Sequence, residues 1–375
     1  MVRLVISILL LLWSLLCVFP APVFFMWYMA IMVTEFPVIF ISATVLVLLW
    51  GIKVNHWQLA GTLTGAVALL LFLTPVVRSY LLSRTLKKNL EQAFNGMYVT
   101  KQNKPFKIGK LFSTGDKVYA PFTTVVYNAP AAEPLTMDVY QAGAKGNRPC
   151  IIVVHGGSWA GGDSRQLPEL NERLTTEGYV IVSINYRLAP EFHSPAPVED
   201  LVTAMKYLKA NASQYHIDTT RFVLLGRSAG AQIAMAAAYN ELKYDVAGVI
   251  SFYGPSDMIW GYLHPNSPLV MNSCKVMDDY LGGTLAQLPE RYKASSPAEY
   301  VTGKMVPTLL LHGTNDALVA YEHSPRLVAK LKNTPTQYYL LTMPWATHGC
   351  DYTLNGPSGQ LTTYAVEAFL KHVCR

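Results

Sequence analysis

The sequence predicts an α/β protein with a doubly wound, mostly parallel sheet, preceded by an all-α transmembrane region. Three observations lead there. From about residue 110 onward, apolar runs of the kind buried on both faces of a parallel sheet alternate with helix-patterned segments. Before residue 80 the chain holds three long stretches without a charge: 4–34, 36–52 and 57–77. Hydrophobic residues make up 51% of the 375 residues and charged residues 14%, too apolar a balance for an ordinary soluble chain.

A spanning helix needs about 20 apolar residues. The three uncharged stretches therefore read as about three transmembrane helices within residues 1–80, the first interrupted by Pro20 and Pro22. Residues 81–110 read as a basic juxtamembrane linker. Arg84, Lys87, Lys88, Lys101, Lys104, Lys107 and Lys110 stand against Glu91 alone, so residues 84–110 carry +6, the net charge of the whole chain. Such a run next to a membrane helix favours the cytoplasmic side and contact with anionic lipid head groups. No basic stripe continues beyond it, so nucleic acid is not expected as a partner.

Residues 111–375 read as one catalytic domain. The runs 122–128 and 135–141 predict an antiparallel hairpin. Buried strands are expected at 150–155, 179–186, 221–225, 246–254, 306–313 and 337–342. Helices are expected around Leu167–Leu174, at 198–209, at 324–332 and at 361–373. Residues 255–304 break the alternation and read as an inserted cap or irregular loop. The five Cys (17, 150, 274, 350 and 374) show no zinc spacing, so neither a metal nor an organic cofactor is expected.

At 226–230 a buried strand becomes a helix of small residues through Gly-Arg-Ser-Ala-Gly. Such a turn lifts the Ser228 hydroxyl above the sheet edge, and flanking glycines let strand and helix pass. A serine nucleophile needs a base and an acid that orients the base, here in the chain order Ser, acid, His. Asp316 in "HGTNDALV" and His348 in "PWATHGCD" follow the next two strands, where open α/β sheets carry their sites. His312, His323, Asp257 and Glu322 are weaker rivals. "HGGSWAGGD" (155–163) supplies a glycine loop after a strand; Gly156, Gly157 and Ala229 are the expected oxyanion-hole donors. His155 is expected to brace that loop. Trp159, Phe252, Tyr253, Trp260 and Trp345 are the aromatic candidates for the substrate pocket.

With "NYRLAPEFHSPAPVED" (185–200), "GRSAGAQIA", "HGTNDALV" and "THG" in this order, residues 110–375 resemble an α/β-hydrolase. The likeness is to hormone-sensitive-lipase-like and bacterial short-chain carboxylesterases, and "YLGGTLAQLPERYKASSPAEYV" resembles feruloyl- and acetyl-esterase-like members. The resemblance implies an eight-stranded sheet and hydrolysis of short to medium carboxylic esters, with a small-molecule ester or lipid as substrate. Transfer of the acyl group to a second alcohol would use the same triad. A bacterial inner-membrane protein with a cytoplasmic catalytic domain is the expected setting. One position departs from the pattern: His, Asp or Glu usually precedes the serine, and here it is Arg227, expected to pair with a nearby acid.

Overall fold

The computed structural model describes residues 1–50, 56–96, 104–113, 120–129, 134–141, 143 and 146–375. Stretch 4–34 does not form one helix. Proline removes a donor and fixes φ, and the chain breaks at Pro20 and Pro22 into α1 (Val2–Ser14, extended by a 3-10 turn to Cys17) and α2 (Phe24–Glu35). Pro37 opens α3 (Pro37–Leu49), which turns away from α2 by 83°. α4 (His56–Ala93) runs for 38 residues.

The three apolar stretches therefore do not become three long helices. Among the described residues, only α4 is long and apolar enough by itself to cross a bilayer; α2 and α3 pass the same test only when taken together, and they are bent by 83° at their break. Length is the reason. At about 1.5 Å per residue, the 13 residues of α1 and of α3 each reach about 20 Å, short of a hydrocarbon core of about 30 Å.

α1, α3 and α4 pack side by side. Gly61 of α4 meets Leu4, and Gly65 meets Ser7, so α1 runs parallel to α4. Leu48 also meets Gly65, and Phe40 lies 5.3 Å from Phe72, so α3 runs the opposite way. Arg3 closes the far end of this bundle. It donates to the Val47 and Leu48 carbonyls in the last turn of α3, and to Gln58 and Thr62 at the start of α4, at 2.8–3.1 Å. The last carbonyls of a helix lack their usual partner four residues on, and Arg3 serves two of them.

Residue 80 falls in mid-helix. α4 continues, and its Leu86 and Leu90, with Phe94 just past its end, are buried with strand residues of the α/β part; Phe94 packs against Phe369 at 5.2 Å. The same helix is thus membrane-like in its first half and a core layer in its second. Residues 97–103 of the expected linker, Lys101 among them, lie outside the described residues.

β1 (Phe122–Asn128) and β2 (Leu135–Tyr140) form the antiparallel pair; 130–133 of their turn lie outside the described residues. Then follow β3 (Arg148–Val154), α5 (Glu169–Thr176), β4 (Val180–Ile184), α6 (Ala196–Ala210), β5 (Ile217–Arg227), α7 (Ala229–Tyr239) and β6 (Gly248–Phe252). Residues 255–304 hold three short helices, α8 (Met258–Leu263), α9 (Ser273–Leu281) and α10 (Pro289–Ala294). β7 (Thr308–Gly313), α11 (His323–Leu331), β8 (Tyr338–Met343) and α12 (Pro357–Val373) complete the chain.

The strands make one eight-stranded sheet in the order β1-β2-β4-β3-β5-β6-β7-β8, parallel from β4 onward. Alternate side chains point to opposite faces. Cys150, Ile152 and Val154 join α6, α7 and α11 in one core, while Ile151 and Val153 join α4, α5 and α12 in the other. This is the expected doubly wound architecture, and its loops at the carboxyl ends of β3, β5, β7 and β8 carry the candidate site.

Candidate active site

Ser228 sits between β5 and α7 at φ 53° and ψ −121°, a region disfavoured for a residue with a Cβ. Its N–H donates to the Phe252 carbonyl at 2.9 Å, which holds the turn. Only glycine passes on either side. A Cβ on Gly226 would lie 2.3 Å from the Gly230 carbonyl oxygen, and one on Gly230 would lie 2.3 Å from those of Val154 and His155.

Asp316 follows β7 and His348 follows β8. Asp316 Oδ1 accepts from the Leu318 and Val319 N–H groups, both at 2.9 Å. Oδ2 lies 2.7 Å from His348 Nδ1 and 3.2 Å from His312 Nε2. Burial opposes ionisation of this carboxyl, but His348 and His312 outweigh it and hold Asp316 well below the usual carboxylate range. His348 and Ser228 line one cleft; His312 is fully buried behind the carboxylate, with Nδ1 on the Ser324 hydroxyl at 2.7 Å. The other rivals are occupied as well. Asp257 caps α8 through the Trp260 N–H and pairs with Arg326 at 2.8 Å, His323 is buried, and Glu322 is exposed.

One oxyanion-hole expectation is corrected. The Gly156 N–H donates to Gln166 Oε1 at 2.7 Å and is not free. Among the described residues, the N–H groups of Gly157, Ser158 and Ala229 make no hydrogen bond within the chain. Ser158, at φ 54°, lines the cleft together with Gly157. His155 braces the loop from below: its ring stacks on Tyr186 at 4.3 Å, and its carbonyl accepts from the Tyr186 hydroxyl at 3.0 Å.

The Arg227 side chain is buried and engages Asp351. Its Nε donates to Asp351 Oδ2 at 2.5 Å, and Asp351 Oδ1 accepts from the Tyr253 hydroxyl at 2.6 Å. The Tyr253 ring packs 4.3 Å from the His348 ring, so the pair supports the face on which the imidazole rests.

Two cavities meet at Ser228. The larger, about 460 Å³, holds His348, Gly157 and Tyr253; the smaller, about 60 Å³, lies under the α8–α9 segment beside Trp159 and Met277. Of the five aromatic candidates, Trp159 and Tyr253 line them. Phe252 and Trp345 are core residues, and Trp260 packs against Arg326 and His323.

The sequence did not reveal the fourth wall. Phe24, Trp27, Tyr28 and Ile31 of α2 line the larger cavity, and Trp27 Nε1 donates to the His348 carbonyl at 2.8 Å. The Glu35 side chain, at the end of α2, accepts from the Ser358 N–H at 3.1 Å at the start of α12. The five cysteines are free, and among the described residues no group of three His, Cys, Asp or Glu side chains is arranged to hold a metal ion.

The sheet order and the strained serine turn at its centre define an α/β-hydrolase. The chain belongs to the BD-FAE family, whose model matches residues 137–331, a span that includes Ser228 and Asp316 and ends before His348. Esterase LipC of Mycobacterium tuberculosis is 29% identical over 60% of this chain and 59% of its own length. The probable carboxylic ester hydrolase LipM of the same organism is 27% identical over 61% and 55%. The chain therefore spans less than two thirds of these relatives. Among solved structures, a bacterial heroin esterase superposes with a TM-score of 0.57 at 22% identity, over 72% of this chain and 89% of its own. EstE1, a thermostable carboxylesterase from a metagenomic library, gives 0.59 at 19% identity, over 79% and 98%. These two likenesses establish the fold.

Proposed function

We propose that this chain is a membrane-associated serine carboxylesterase. The observation that carries the reading is the Asp316–His348 contact at 2.7 Å in the cleft that also holds Ser228. Ser228 Oγ attacks the ester carbonyl carbon while His348 Nε2 takes its proton. Asp316 holds Nδ1–H and stabilises the imidazolium. The oxyanion forms against the free N–H groups of Gly157, Ser158 and Ala229, an interaction worth several kcal/mol. As the C–O bond breaks, His348 returns the proton to the leaving alcohol. Water, activated by the same imidazole, then releases the acid and regenerates Ser228. The esterase names of the relatives support this chemistry.

Membrane association is supported by α4. Arg84, Lys87 and Lys88 follow its uncharged part and favour the cytoplasmic side for the α/β part. The test is hydrolysis of p-nitrophenyl acetate by the full chain in detergent, together with covalent labelling by a fluorophosphonate. Ser228→Ala is expected to abolish labelling and to lower turnover at least roughly 10⁴-fold. Full turnover in that variant would refute the mechanism.

A further inference from the structure

We propose that the larger cavity is the leaving-alcohol site, that it takes a long apolar alcohol presented at the membrane surface, and that α2 is the wall that selects it. This rests on the serine-esterase reading. The proton returned at the end of acylation goes to the alcohol from His348, so the alcohol occupies the side of Ser228 on which His348 lies. That side is the larger cavity, of about 460 Å³. The acyl side lacks His348 and is the smaller cavity, of about 60 Å³, which favours a short acyl unit such as acetyl or propionyl.

The surroundings of the cavity connect it to the bilayer. The uncharged part of α4 is 57–77, a length of about 30 Å that matches one hydrocarbon core. The next residue, Arg78, donates to the Pro344 carbonyl at 3.1 Å, on the loop that carries His348. The catalytic loop therefore sits where α4 leaves the membrane. α3 runs back antiparallel to α4, and α2 is bent 83° from α3, so α2 lies across the bundle end and along the surface. One face of α2 lines the cavity with Phe24, Trp27, Tyr28 and Ile31, and of its aromatics Phe24, Phe25 and Tyr28 are 45–67% exposed. Exposed aromatics on a helix at this depth are the residues expected at a lipid interface. The ester would be a short-acyl ester of a membrane-resident alcohol.

The experiment uses the full chain in phosphatidylcholine nanodiscs and two substrate series. In alkyl acetates from ethyl to decyl, kcat/KM is expected to rise by up to roughly fourfold per added methylene until the cavity is filled. In p-nitrophenyl acylates, kcat/KM is expected to fall roughly tenfold or more once the acyl chain exceeds propionyl. Ile31→Trp, which fills the cavity, should flatten the alcohol series. Tyr28→Ala, at an exposed position that cannot disturb the core, should lower the decyl-to-ethyl ratio roughly tenfold. A photoactivatable decanol should label residues 24–31 and Tyr352, which line this cavity and not the smaller one. A flat alcohol series with no labelling, while Ser228-dependent acetate hydrolysis persists, overturns the proposal and leaves the esterase reading intact. Labelling of the cavity without Ser228-dependent hydrolysis overturns the esterase reading, and with it the assignment of this cavity to a leaving alcohol.

Discussion

Arg227 stands where related sequences place His, Asp or Glu, and its replacement tests the account of the serine turn most directly. Its side chain and that of Asp351 are 2% and 1% exposed, with Nε and Oδ2 2.5 Å apart. At an effective dielectric of ~20 their attraction is about 7 kcal/mol. Each ion costs several kcal/mol to remove from water, so the net contribution of the intact pair is small. Breaking it is another matter. Arg227→Met leaves the Asp351 charge buried, and Asp351→Ala does the same to Arg227; each is expected to cost about 3–5 kcal/mol. Losing both charges at once avoids that. The Tyr253 hydroxyl would then lack its acceptor, at about 1–3 kcal/mol, so the informative combination is Arg227→Met, Tyr253→Phe and Asp351→Leu. This triple variant should lie within about 1–2 kcal/mol of the parent. Urea denaturation of the full chain in detergent micelles, followed by tryptophan fluorescence, measures all of them. A single variant costing under about 1 kcal/mol, or a triple variant as unstable as the singles, would refute the reading of Arg227 as half of a buried ion pair.

Two further outcomes follow from the same geometry. Gly230→Ala should prevent folding of the α/β part, because its Cβ would lie 2.3 Å from two backbone carbonyl oxygens that cannot retreat; a folded variant that still takes the fluorophosphonate label would show that β3 and α7 can separate. Burial of His323 pushes its imidazole down to about 3, and its Nδ1 accepts from the Ser256 and Asp257 N–H groups. The ring stays neutral in the folded state, whereas in the unfolded chain it gains a proton below about pH 6.5. Stability is therefore full above that pH and falls by up to about 1.4 kcal/mol per unit as pH drops from 6.5 toward 3. His323→Gln should flatten the slope between pH 6 and 4, and an unchanged slope in that variant would assign the acid sensitivity to other groups.

Much of the α/β part is readable from local pattern. β3, β4, β6 and β7 are continuous apolar runs because both faces of the sheet are covered, and each lies within two residues of the expected span. Chain order and places after strands point to Ser228, Asp316 and His348 as candidates, because doubly wound topology delivers those loops to one edge. That the N–H of Ser158 is free while that of Gly156 is not is illegible in the sequence. Which N–H groups of a glycine loop face the cleft depends on a positive φ at Ser158 and on Gln166, ten residues away, taking up the first of them. The need of Arg227 for an acid could be anticipated from its burial in the turn. That Asp351 supplies it depends on how the β8–α12 loop folds back.

Local pattern alone carries the alternation of strands and helices, the serine turn, the order of the three catalytic candidates and the aversion of residues 4–77 to water. Each is written in spacing along a short stretch, where backbone periodicity and steric fit act directly. What the apolar helices face is settled by long-range contacts. Burial of apolar surface is non-directional, so "FFMWYM" records only that α2 avoids water. Its place against a hydrolase cleft arises from a contact between residues 321 positions apart, Trp27 and His348, which no local pattern encodes. That contact turns a segment readable as a membrane anchor into one wall of the candidate active site.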